Sequence, residues 1–137
     1  VIRALIDTDV LLDVLLARDE FVESAELIWR ANLDGKFEGY ISAISPINIF
    51  YIARKLNGQQ IAQELNRKLL LHWRICPVDG DVLRKAADLP IKDFEDAVQC
   101  ANALALNLEY VVTRNTSDYA DAPSSILTPV EFVRLIG

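Results

Sequence analysis

Carboxylates at suggestive spacings are the residues in this chain best placed to do chemistry. Asp7 and Asp9 follow directly on the apolar run Ala4-Leu5-Ile6, and Asp93 and Asp96 stand three apart at the start of an apolar, helix-patterned stretch. Residues three apart at a helix start share one face. On local grounds alone, capping of the helix dipole is the better reading of such a pair. A third polar segment, Thr113-Arg114-Asn115-Thr116-Ser117-Asp118, follows the β-prone run Tyr110-Val111-Val112. An ordinary polar loop is as good a reading of it. A fourth, Ser42 to Asn48, follows the strand-like segment Phe37–Ser42, with Asn48 near a helix start. Carboxylates that converge repel unless they are paired, protonated or bound to metal. Oxygen-only donors suit Mg²⁺ or Mn²⁺. Such an ion can polarise a phosphodiester, generate hydroxide and stabilise a leaving oxygen. Asp7 is accordingly expected to be the first ligand of a divalent-metal site.

Other chemistries find little support. The single histidine, His72, excludes a multi-histidine site within the chain, and Cys76 and Cys100 form no Cys-x-x-Cys pair. Reduced core thiols are the expectation. No serine–histidine, cysteine–histidine or phosphate-cradling glycine pattern occurs. A net charge of −6 over 137 residues argues against non-specific nucleic-acid binding by the whole surface. It leaves a nuclease open, because bound metal offsets a carboxylate cluster locally. With 52% apolar and 25% charged residues the composition is globular. No apolar run is long enough to span a bilayer and no signal-peptide pattern opens the chain. A single domain over 1–137, cytoplasmic and without a membrane partner, is expected.

The elements that must position these groups alternate. Strands are expected near Ala4–Ile6, Phe37–Ser42, Trp73–Val78, Glu109–Thr113 and Ser125–Leu127. Helices are expected over Val10–Ala17, Phe21–Leu33, Ser45–Leu56, Gln59–Leu71, Asp81–Leu89 and Phe94–Leu106, with Ser45 as N-cap of the third. A last helix starts at Thr128-Pro129 with a Thr128/Glu131 capping box. In the Phe94–Leu106 helix the apolar face comprises Phe94, Ala97, Val98, Ala101, Leu104 and Ala105. Alternation of this kind implies an α/β fold, a three-layer α/β/α arrangement around a central parallel sheet of four to five strands. Asp7, Asn48 and Asn115 would then lie at the carboxyl edge, where open parallel sheets bind ligands.

Taken together, Leu5-Ile6-Asp7-Thr8-Asp9-Val10-Leu11-Leu12, Ser42-Ala43-Ile44-Ser45, Asp93-Phe94-Glu95-Asp96-Ala97-Val98-Gln99, Val111-Val112-Thr113-Arg114-Asn115 with Asp118-Tyr119, and Leu127-Thr128-Pro129-Val130-Glu131-Phe132 resemble the PIN domain family, the fold of VapC-type toxin ribonucleases. The resemblance spans essentially the whole chain. It implies a metal-dependent endoribonuclease whose acidic residues hold one or two Mg²⁺ or Mn²⁺ ions. Asp7 and Asp96 match the first and third acidic positions and are the implied catalytic residues. Asp93, Asn115 and Asp118 are implied as further ligands, and Thr8, Thr113 and Arg114 are candidate substrate contacts. Arg54, Lys55 and Lys92 are further candidates for phosphate contact. The second acidic position, usually glutamate, falls on Asn48, which brings no charge and cannot act as a base. RNA as substrate, an antitoxin protein and a homodimer are the implied partners. Ile49-Phe50-Tyr51-Ile52 reads as core or interface. Two other readings stand beside this one. A catalytically weakened PIN module would act by RNA or protein binding. A haloacid-dehalogenase-like phosphatase would use Asp7 and Asp9 as its paired aspartates.

Overall fold

A computed structural model describes all 137 residues. Five parallel strands form one sheet in the order β3-β2-β1-β4-β5. The strands are β1 (Arg3–Ile6), β2 (Glu38–Ser42), β3 (Arg74–Cys76), β4 (Tyr110–Val112) and β5 (Ser125–Leu127). Between and after them run α1 (Thr8–Leu15), α2 (Val22–Leu33), α3 (Ile44–Asn57), α4 (Gln59–His72), α5 (Gly80–Asp88), α6 (Phe94–Ala105) and α7 (Pro129–Ile136), with one 3₁₀ turn at Thr116–Tyr119.

Strand β1 lies at the centre and is buried on both faces. Ala4 and Ile6 enter one apolar cluster and Leu5 the other, as the two-residue period of a strand requires. The first cluster draws on α1, α2 and α7 (Leu11, Ile28, Phe132); the second draws on α5 and α6 (Val82, Val98, Ala101). The result is three layers with the sheet in the middle. From β1 the chain builds outward through β2 and β3, then returns to β4 on the other side of β1. The crevice between β1 and β4 is therefore the topological switch point, where ligands bind in such sheets. The backbone N–H of Asp7 donates to the Val112 carbonyl at 2.9 Å and Thr113 to the Leu127 carbonyl at 2.9 Å. These bonds tie both segments to the carboxyl edge.

Several boundaries differ from the sequence expectation. Helix α3 begins at Ile44, and its N-cap, Ala43, supplies no side-chain bond. Ser45 is buried inside the first turn, where its hydroxyl shares a 2.7 Å hydrogen bond with Thr8. A local capping rule could not anticipate that partner on α1. Strand β3 is only three residues long, because α4 continues to His72 and Pro77 has no N–H to extend the ladder. In α6, Phe94 is 52% exposed, and the buried residues include Gln99 and Asn102 beside Ala97, Val98 and Ala101. Of the Ile49–Ile52 cluster, Ile49 is fully buried and Tyr51 is exposed. The cysteines are both buried and free.

Gly39 in β2 has no room for a side chain. A Cβ there would collide with the Trp73 ring and come within 2.7 Å of Asn32 Oδ1, which accepts the Gly39 N–H. The capping box that starts α7 forms as expected, with Thr128 and Glu131 bonding reciprocally. No helix is long and apolar enough to cross a membrane.

Candidate active site

Asp7 follows directly on β1 and caps α1, and it is 3% exposed. Its Oδ1 accepts from Gln99 Nε2 at 3.0 Å and from the Asp9 N–H at 3.4 Å, and its Oδ2 accepts from Thr113 Oγ1 at 2.6 Å. Burial pushes its carboxyl above the ordinary range. The bonds from Thr113 and Gln99 act against that, and the charge of Asp9 adds to it. A carboxylate held this way is oriented by neutral donors only.

Asp96 lies in the first turn of α6 and is half-buried. Its pKa is pushed up to about 7, first by burial and then by the negative charges of Asp7 and Asp93. Tyr119, buried on the 3₁₀ turn, donates its hydroxyl to Asp96 Oδ1 at 3.3 Å and partly relieves the shift, whereas Asp118 adds to it. None of the four ion pairs in the chain involves Asp7, Glu95 or Asp96. The crevice therefore carries negative charge without a side-chain cation to offset it.

The other expected ligands stand further out. Asp93 is exposed and caps α6 by accepting the Asp96 N–H at 3.0 Å, the helix-capping role that its spacing also allowed. Asn115 is exposed, and its amide donates to Asp9 Oδ2 at 3.3 Å. Asp118 is exposed and acts on Asp96 through its charge. Asn48, on α3, is half-buried and donates its amide to Glu95 Oε1 at 2.6 Å. Burial raises the Glu95 carboxyl. The bond from Asn48 lowers it, and the charges of Asp93, Asp7 and Asp9 raise it.

The three expected substrate contacts are all engaged by other side chains of the protein. Thr8 is buried against Ser45, and its N–H donates to Gln99 Oε1 at 3.2 Å. Thr113 is fully buried and serves Asp7. Arg114 pairs with the buried Asp13, Nε to Oδ2 at 2.8 Å, and its guanidinium lies over the Phe21 ring at 4.1 Å. Arg54 and Lys55 belong to the last turn of α3, the end away from the carboxyl edge.

Gln99 and Tyr119 lie within the stretches that carry the resemblance, but the sequence assigns neither a role. Gln99 bridges β1 to α6, its amide nitrogen serving Asp7 and its amide oxygen serving Thr8. The signal was a polar residue three positions after Asp96 on the face that packs on the sheet. Glu95 stood within a quoted motif without an assigned role.

No three acidic, histidine or cysteine side chains close to chelating geometry. The donor chemistry nonetheless suits a hard divalent cation. Asp7 and Asp96 offer oxygen ligands, and the charge of Asp7 disfavours ionisation of Asp96, a penalty that a divalent cation would offset.

The family profile described as PIN domain matches residues 3–117. Solved structures with the same fold include a toxin–antitoxin complex from Klebsiella pneumoniae, 27% identical, covering 92% of this chain and 97% of that one at a TM-score of 0.68. DNA-bound VapBC from Salmonella typhimurium is 16% identical, covering 94% and 99% at a TM-score of 0.73. VapC20 from Mycobacterium tuberculosis, described as a toxin that cleaves the sarcin–ricin loop, is 16% identical, covering 79% and 86% at 0.63. A comparison with curated protein sequences finds no match.

Proposed function

The chain belongs to the PIN domain family, and from that premise we propose that it is a divalent-metal-dependent endoribonuclease and the toxin of a toxin–antitoxin pair. The observation that carries the reading is the buried Asp7 at the β1/β4 switch point, sharing a negative crevice with Asp96. Asp7 and Asp96 would hold Mg²⁺ or Mn²⁺, with Asn115 and Asp118 near enough to the groove to assist, directly or through water. Asp93 is the weaker candidate, since its carboxylate is used in capping α6. When bound, such an ion lowers the pKa of water and offsets charge on a phosphodiester. Gln99 and Thr113 orient the Asp7 carboxylate, and Tyr119 restrains Asp96. Thr8, Thr113 and Arg114 stabilise the groove instead of gripping RNA.

A cytoplasmic protein, a homodimer and a small antitoxin partner belong to the same proposal. The Klebsiella and Salmonella structures, described as a toxin–antitoxin complex and as VapBC, support the antitoxin. The phosphatase reading needs an accessible Asp7 nucleophile, and both of its oxygens are buried and hydrogen-bonded.

The test is cleavage of a mixed single-stranded RNA by the purified protein in Mn²⁺, Mg²⁺ or EDTA, beside Asp96→Asn. Cleavage that requires metal and disappears in Asp96→Asn is expected. Cleavage that persists in EDTA would refute the proposal.

A further inference from the structure

Asn48 stands on α3 where the family usually has an acid, and its amide meets a carboxylate from another helix. Asn48 Nδ2, on α3, donates to Glu95 Oε1, on α6, at 2.6 Å. An amide nitrogen only donates, so this contact needs an acceptor opposite it. A carboxylate in a first helical turn is favoured by the dipole alone and has no need of a partner on another helix. Glu95 has one, and Oε2 remains without a protein donor. Glu95 also lies within the fields of Asp7 and Asp9 from the β1–α1 junction. The contact thus holds an acidic oxygen at the rim of the crevice, next to the position where α3 offers none.

We propose that Asn48 is a positioning residue that presents the Glu95 carboxylate to the divalent cation, so that α6 supplies the acidic oxygen missing from α3. The inference rests on the metal-dependent reading above and adds a ligand to it. Asn48 and Glu95 form a matched pair of one amide and one acid. A glutamate at position 48 would set two carboxylates face to face in the metal-free protein, which is unfavourable. Exchanging the two chemistries, Asn48→Glu with Glu95→Gln, keeps one acid and one amide and moves the acid to the other helix.

The experiment is Mn²⁺ titration by calorimetry on the intact protein at pH 8, with thermal unfolding in EDTA as a check on folding. Glu95→Gln and Asn48→Ala are each expected to weaken Mn²⁺ binding by about 10–100-fold. The double exchange is expected to recover most of that loss. A purely structural contact would change the melting temperature in EDTA and leave Mn²⁺ affinity where it was. Wild-type affinity in Glu95→Gln, with binding abolished in Asp7→Asn, would overturn the inference and leave the metal-dependent reading intact. No Mn²⁺ binding by the wild-type protein would overturn both.

Discussion

Replacing Asp96 with asparagine should make the metal-free protein more stable, although it removes a proposed ligand. Folded Asp96 releases its proton near pH 7, against about 3.8 for an unperturbed aspartate. Between those values the folded state holds a proton that the unfolded chain has lost. Stability therefore falls as pH rises from about 4 to about 7 and is level above that. Three pH units correspond to a ceiling of about 4 kcal/mol. Asp96 is half-exposed, and solvent screening reduces this to about 1–2 kcal/mol. For a chain of this length that is a rise of about 3–8 °C in melting temperature for Asp96→Asn at pH 8. The assay is thermal unfolding in EDTA at pH 8 and at pH 3, below the unfolded pKa. The variant should melt above the wild type at pH 8 and level with it at pH 3. Saturating Mn²⁺ should reverse the order, since a ligand at about a hundred times its Kd adds roughly 2.7 kcal/mol to the protein that binds it. A variant that melts below the wild type at pH 8 in EDTA would refute the claim that like charge and burial dominate at Asp96.

Tyr119→Phe removes a bond that favours ionised Asp96, so the midpoint of pH-dependent Mn²⁺ binding should move to higher pH, at a stability cost of about 1 kcal/mol. Titrating Mn²⁺ affinity against pH checks this. Arg114→Met leaves the fully buried Asp13 with only the longer contact to Arg18 at 3.6 Å. It should cost about 3 kcal/mol in urea unfolding, and Asp13→Asn in the same chain should recover much of the loss. Gly39→Ala drives a methyl group into the Trp73 ring and should cost at least about 2 kcal/mol, read as a lowered melting temperature.

The order of elements was legible because each depends on its own neighbours. A short continuous apolar run marked β1, the β-prone Tyr110-Val111-Val112 marked β4, and the Thr128/Glu131 box started α7 where it was expected. Asp7 and Asp96 were legible for the same reason, as acids placed where an apolar strand ends and an apolar helix begins. What each polar side chain does there was decided by the tertiary structure. Thr113 reaches Asp7 across 106 positions and Gln99 reaches it across 92. No local period encodes such a pairing. Ser45 carries the residue type of an N-cap, yet it is drawn onto Thr8 once α1 and α3 pack. Arg114 carries the charge of a phosphate contact, yet the buried Asp13 claims it. Asn48 looks like a missing acid when read along α3 alone. Only the approach of α6 sets Glu95 against it, because a hydrogen bond depends on distance in space and the sequence specifies distance along the chain.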